Sequence, residues 1–136
     1  MKKSLFLSIA ILISVISFGQ VSYFIPQKLD TTVNTIYNDI NPVIHPNGTT
    51  LYFNRVNHPE NTFGDDESMD IWYSELQADG KTWSQAKRLG FPFNTARSNA
   101  IVSISQDGNS FVVKGIFSKK KAKWLKRGLS TITKTG

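Results

Sequence analysis

Cysteine is absent from the 136 residues. Disulfides, thiolate metal sites and thiol nucleophiles go with it, so any folded part must be held by packing and hydrogen bonds alone. Histidine is nearly as scarce: His45 and His58 are the two, and neither has a second His at helical or finger spacing. That leaves no pattern for a histidine-built metal centre, and no residue set calls for a cofactor. Beyond residue 19 no stretch has a sustained apolar stripe of period 3.6, so helices are not expected there. Glycine-rich phosphate loops, dinucleotide fingerprints and a G-x-S-x-G elbow are also missing, which removes the usual machinery of nucleotide enzymes and serine hydrolases.

What is present begins with Lys2 and Lys3, an apolar run over 5–16, and the small-x-small triplet Ser17-Phe18-Gly19. This pattern predicts a secretory signal peptide over 1–19, cut after Gly19. The run is shorter than the roughly 20 apolar residues of a spanning helix, so no stable membrane span is expected. The expected location is therefore the periplasm, the cell envelope or the extracellular space. Removing 1–19 leaves 117 of the 136 residues, enough for one small domain.

The net charge of +6 suggests an anionic partner until it is located. Residues 20–118 carry 7 basic and all 10 acidic residues, a balance of −3, while 119–136 carry 7 basic residues and no acid. A mildly acidic body followed by a solvated, disordered basic tail is expected, and nucleic acid is not an expected partner of the body.

Residues 28–54 recur at 88–114, without a gap, at an offset of 60. Identities include Leu29/Leu89, Asn34/Asn94, Thr35/Thr95, Ile44/Ile104 and Gly48/Gly108, with Asn47/Asp107 and Leu51/Phe111 as like-for-like pairs. A fixed period of this size marks a repeat architecture whose units bury their apolar faces on one another. Within a unit, short β-branched or aromatic stretches at 42–45, 51–55, 70–76 and 83–89 read as antiparallel strands. Asn47-Gly48 and Asp107-Gly108 read as tight two-residue hairpin turns. The predicted fold is all-β: one complete four-stranded antiparallel propeller-type blade over about 28–87 and part of a second over about 88–115.

The strings N-P-V-I-H-P-N-G-T-T-L-Y-F-N-R, D-I-W-Y-S-E-L and W-S-Q-A-K-R-L-G, over 41–90, resemble the TolB-like, WD-repeat-like β-propeller repeat of exported Bacteroidetes-type envelope proteins. The chain departs from that pattern at His45 and Asn47, where Ser and Asp are usual, at Gln106 in place of a turn Pro, and in the acidic loop 65–67. The resemblance, which covers 28–114, implies a propeller fold and a non-enzymatic role in protein interaction, often beside OmpA-like peptidoglycan-binding domains. It implies structural roles for Asn47, Gly48, Trp72, Trp83, Asp107 and Gly108, and makes Asp70 a hydrogen-bonding anchor at the start of the third strand. Propellers close with about 4 to 8 blades, more than this length supplies. Ring assembly of copies, docking on a larger propeller and a truncated remnant are the three outcomes, and loss of the pattern after Lys114 favours the remnant. Open blade edges would offer self-association or pairing with other repeats.

Candidate chemistry is thin. Asp65, Asp66 and Glu67 are the densest acidic group, but no Gly stands at the sixth position of an EF-hand frame, and a solvated loop is the expectation. His45 and His58, with Glu60 near the latter, could form an acid–base or metal pair, and are expected instead as structural residues. Tyr52, Phe53, Trp72, Tyr73, Trp83, Phe91 and Phe93 could form a carbohydrate platform, and are expected as core. Two alternatives to the interaction role stay open: one blade of a carbohydrate-active or hydrolytic propeller enzyme, and an envelope-surface binder using the basic tail with Trp124 and Leu125 as an apolar anchor.

Overall fold

A computed structural model describes residues 24–118, 121 and 123–135. The signal-peptide expectation at 1–19 lies outside the described residues. Among the described residues seven strands account for the regular structure: β1 (Asn38–Ile44), β2 (Thr50–Val56), β3 (Met69–Glu75), β4 (Lys87–Arg88), β5 (Ile101–Ile104), β6 (Ser110–Phe117) and β7 (Trp124–Thr133). They form two antiparallel sheets, one in the order β1-β2-β3-β4 and one in the order β5-β6-β7. Among the described residues the fold is all-β, as the period-2 pattern implies.

The turns that join β1 to β2 and β5 to β6 are built alike. His45 N–H donates to the Thr50 carbonyl and Gly48 N–H to the His45 carbonyl, at 2.8 and 2.9 Å. Ser105, Ser110 and Gly108 repeat both bonds at 2.8 Å. Four residues therefore lie between the paired ends, rather than the two expected, because only the glycine enters the left-handed region (φ 74° at both Gly48 and Gly108). Asn47 and Asp107 instead turn the chain through their side chains, each carboxyl or amide oxygen accepting a backbone N–H two residues on, at 3.0 Å.

Repetition extends to details with no obvious sequence signature. The first strand of each sheet carries a bulge, between Ile40 and Val43 and between Ile101 and Ser103. Asn34 and Asn94 each donate to the carbonyl five residues back, Leu29 and Leu89, at 2.9 and 2.6 Å. Asp39 and Asn99 each accept the backbone N–H of Thr35 and Thr95.

Two expectations need correction. The fourth strand, expected over 83–89, is reduced to Lys87–Arg88 plus a single bridge between Trp83 and Leu76. Between them Ser84 bonds to Ser74 and Glu75 through its carbonyl and hydroxyl, and the Ala86 N–H goes to the Thr32 carbonyl at 3.1 Å, so the ladder is interrupted. The stretch expected as a solvated, disordered tail forms β7 from Trp124 to Thr133, paired along β6. The second unit thus runs past the boundary near 115. Lys134 N–H bonds the Asn109 carbonyl as Leu76 N–H bonds that of Thr49, so the offset in this strand is 58, not 60. A shorter connection and two register shifts in β6/β7 hide the continuation from a search at fixed period.

Two apolar clusters stabilise the sheets. Val33, Leu51, Phe53, Trp72 and Ala86, with Leu29 and Trp83, cover one face of the first sheet. Ile71, Ile101 and Val113 lie between the sheets with Val43, Tyr52, Leu89, Phe93 and Phe111 around them. Strand alternation explains the division: Phe53 pairs Trp72 on one face, and Tyr52 pairs Tyr73 on the other. In the first cluster Arg55 is almost fully buried, its Nε 2.7 Å from Asp39, its guanidinium 4.5 Å from the Trp72 ring centre. A buried cation needs both the carboxylate and the ring face in place of water.

Candidate functional site

Asp70 sits at the start of β3 and is fully buried. Its Oδ2 accepts the Thr62 N–H (2.6 Å), the Thr62 hydroxyl (2.7 Å) and an Arg88 N–H (3.2 Å), and its Oδ1 accepts the Asn99 amide at 2.9 Å. Around it, Asn94 receives the Ile71 N–H and donates to the Ile71 carbonyl, at 2.8 and 2.9 Å. The Asn54 amide donates to the Asn99 carbonyl at 2.7 Å. These side chains act as a substitute strand along the edge of β3, holding the connection between sheets where no regular ladder runs. Every buried side-chain polar atom among the described residues has a partner. The arrangement is a satisfied structural seam and holds no free nucleophile, acid or base. Asn54, Asn94 and Asn99 were missed by motif reading; only the Asn34/Asn94 identity hinted at them.

The other sequence candidates are scattered. His45 lies between the sheets, its Nδ1 accepting the Asn47 N–H at 3.1 Å and its Nε2 3.3 Å from the Gly108 carbonyl. An accepting Nδ1 leaves Nε2 to carry the proton and donate. His58 packs edge-on against Tyr37 and Trp72, with ring centres 4.5 and 4.7 Å away. Its pKa lies below the usual 6.5, first through burial and then through the Arg55 charge, against the opposing Glu60 and Asp39. Only the Glu60 backbone, through its N–H, meets the His58 ring. Asp65, Asp66 and Glu67 lie in the loop between β2 and β3, and among the described residues no three metal-ligating side chains converge. Of the seven aromatic candidates, Phe53 and Trp72 are buried and Trp83, Tyr52 and Phe93 pack against the two clusters, whereas Phe91 is 75% exposed.

A further concavity lies elsewhere, where the loop at 95–98 meets the ends of β6 and β7. It is a half-open cavity of about 630 Å³ with Phe63 and Trp124 in its walls. Gly115 makes room for it: a Cβ there would stand 2.9 Å from the Trp124 ring, and its φ of 111° suits glycine alone. Among the described residues four cations line the same space, Arg97, Lys114, Lys123 and Arg127, and no acidic residue does. Arg97 lies 5.4 Å over the Phe63 ring and 3.6 Å from the largely exposed Asp66 carboxylate. Lys114 donates to the Ser98 hydroxyl at 3.0 Å. Lys123 and Arg127 come from the stretch expected as tail, so their meeting with Arg97 depends on β7.

No family model, curated protein or solved structure matches the chain.

Proposed function

We propose that the protein is an exported, non-enzymatic repeat module of the TolB-like, WD-repeat-like propeller type that acts by protein contact in the cell envelope, stacking on a second copy of itself. The observation that carries this reading is an uncovered surface. In the first sheet the face bearing Tyr52 and Ile71 is covered by the second unit. The corresponding face of the second sheet carries Val112 and Lys114, paired with Thr131 and Leu129, and Leu129 is 61% exposed. The surface with which the second unit meets the first, Leu89, Phe93, Phe111 and Val113, has its repeat equivalent in Leu29, Val33, Leu51 and Phe53; the last three are buried in the first cluster, and a groove of about 220 Å³ remains beside them. The open face at Leu129 and the groove beside Leu29 are therefore the two places, one on each unit, where a second copy would meet the chain. Contacts of this kind are heterologous and extend head to tail, giving a ring when the rotation closes. The outer edge of β7, unpaired among the described residues, adjoins the same face. Export rests on the pattern at 1–19.

Sedimentation equilibrium of the purified protein tests the reading. Concentration-dependent oligomers that revert to monomer in Leu129→Glu are expected, since the substitution puts a charge into the contact. A strictly monomeric wild type up to about 100 μM, the weak end of specific association, would reject it.

A further inference from the structure

The cavity beside Trp124 has the features of a ligand site that neither the repeat pattern nor the stacking surface requires. We infer that it binds a small amphipathic anion: a ring-bearing or otherwise apolar body with a carboxylate, sulfonate or phosphate at one end.

Size comes first. At about 630 Å³ it falls within the roughly 300 to 1,000 Å³ of pockets that take drug-sized molecules. Wall chemistry comes second. Trp124, 42% exposed, and Phe63, 46% exposed, leave aromatic surface open to the cavity that apolar rings or chains can cover. Charge comes third and selects the class. Arg97, Lys114, Lys123 and Arg127 converge there with no acidic residue in the lining among the described residues, and the Asp66 carboxylate, 3.6 Å from Arg97, belongs to a side chain 84% exposed. Among the described residues Lys123 and Arg127 have no acidic partner for their side chains. Four like charges around an apolar floor repel one another, and an anion seated among them relieves that repulsion while its apolar part leaves water. A neutral apolar ligand would gain only the second effect, and a small inorganic anion only the first.

A matched pair of fluorescent probes separates the two contributions. 1-Anilinonaphthalene-8-sulfonate carries the sulfonate, and N-phenyl-1-naphthylamine is the same ring system without it. Titrated into the purified wild-type protein, the sulfonate is expected to bind at least about tenfold more tightly than the neutral probe. Lys123→Ala/Arg127→Ala should weaken sulfonate binding by about tenfold or more and leave the neutral probe within about twofold. Lys81→Ala/Lys87→Ala, which removes the same charge outside the cavity, should leave both probes unchanged. Thermal melts of both double variants establish that they remain folded. Equal affinity of the wild type for the two probes, no saturable sulfonate binding, or equal effects of the two double variants would each overturn the inference. Because the probes are read on each monomer of the wild-type protein, whether or not copies stack, failure of stacking and failure of this site are separate results.

Discussion

Substituting Gly108 by alanine tests how tightly the two sheets are keyed together, because Gly48 supplies an internal control. Both glycines hold φ at 74°, so placing an L side chain at either costs about 1 to 2 kcal/mol for the left-handed backbone. The surroundings differ. A Cβ on Gly48 meets nothing within 4 Å, whereas one on Gly108 falls 2.6 Å from both Cε1 and Nε2 of His45. The imidazole has little freedom to yield. Its Nδ1 is held by the Asn47 N–H, its Nε2 by the Gly108 carbonyl, and its ring lies 6.4 Å, centre to centre, from both Tyr52 and Phe111. Displacing it loses a hydrogen bond, about 1 kcal/mol, and forces repacking of about 1 to 3 kcal/mol. Gly108→Ala should therefore destabilise by about 3 to 6 kcal/mol in total and Gly48→Ala by about 1 to 2. Urea unfolding followed by tryptophan fluorescence measures both, and thermal melts should separate the variants by roughly 4 °C per kcal/mol. In a His45→Ala background the cost of Gly108→Ala should fall to that of Gly48→Ala, a coupling of about 2 kcal/mol or more. Equal costs for the two glycine variants, or an additive cycle, would refute the keyed interface.

Two further tests address the polar interior. Asp70→Ala removes the acceptor shared by Thr62, Arg88 and Asn99 and strands buried donors, so a loss of about 3 kcal/mol or more is expected in urea unfolding; a loss under about 1 kcal/mol would show that water replaces the carboxylate freely. His58 titrates below 6.5 in the folded protein, so the unfolded chain takes up its proton first as pH falls. The stability it contributes is complete above pH 6.5 and is lost as pH drops through the folded value. Unfolding free energy should therefore fall less between pH 7 and 5.5 in His58→Phe than in the wild type, and parallel profiles would contradict the assignment.

Local structure was legible where it depends on local sterics. The alternation at 51–55 and 70–76 gave β2 and β3, and the glycines at 48 and 108 located both turns. The turn length was not, because Asn47 is stabilised by its own side chain rather than by a positive φ. The interruption at Ser84–Ala86 was not legible either, since it follows from a partner, Thr32, more than fifty residues away. Asp70 was marked by the resemblance, but its partners Thr62 and Asn99 belong to loops whose approach no motif specifies. The clearest divergence is β7. The basic residues at 119–127 argue for a solvated end, whereas the strand forms where Trp124–Thr133 pairs along β6.

By itself, the sequence determined an all-β chain with two similar units and the residues at their turns, because side-chain period and glycine backbone freedom are properties of a few adjacent residues. Tertiary structure alone decided which faces are covered, that β7 completes a third strand, and that Arg97 and Arg127 share a cavity. Those outcomes depend on backbone pairing and burial between distant segments, where the hydrogen-bond demand of an open strand edge outweighs the local preference of a basic stretch for water.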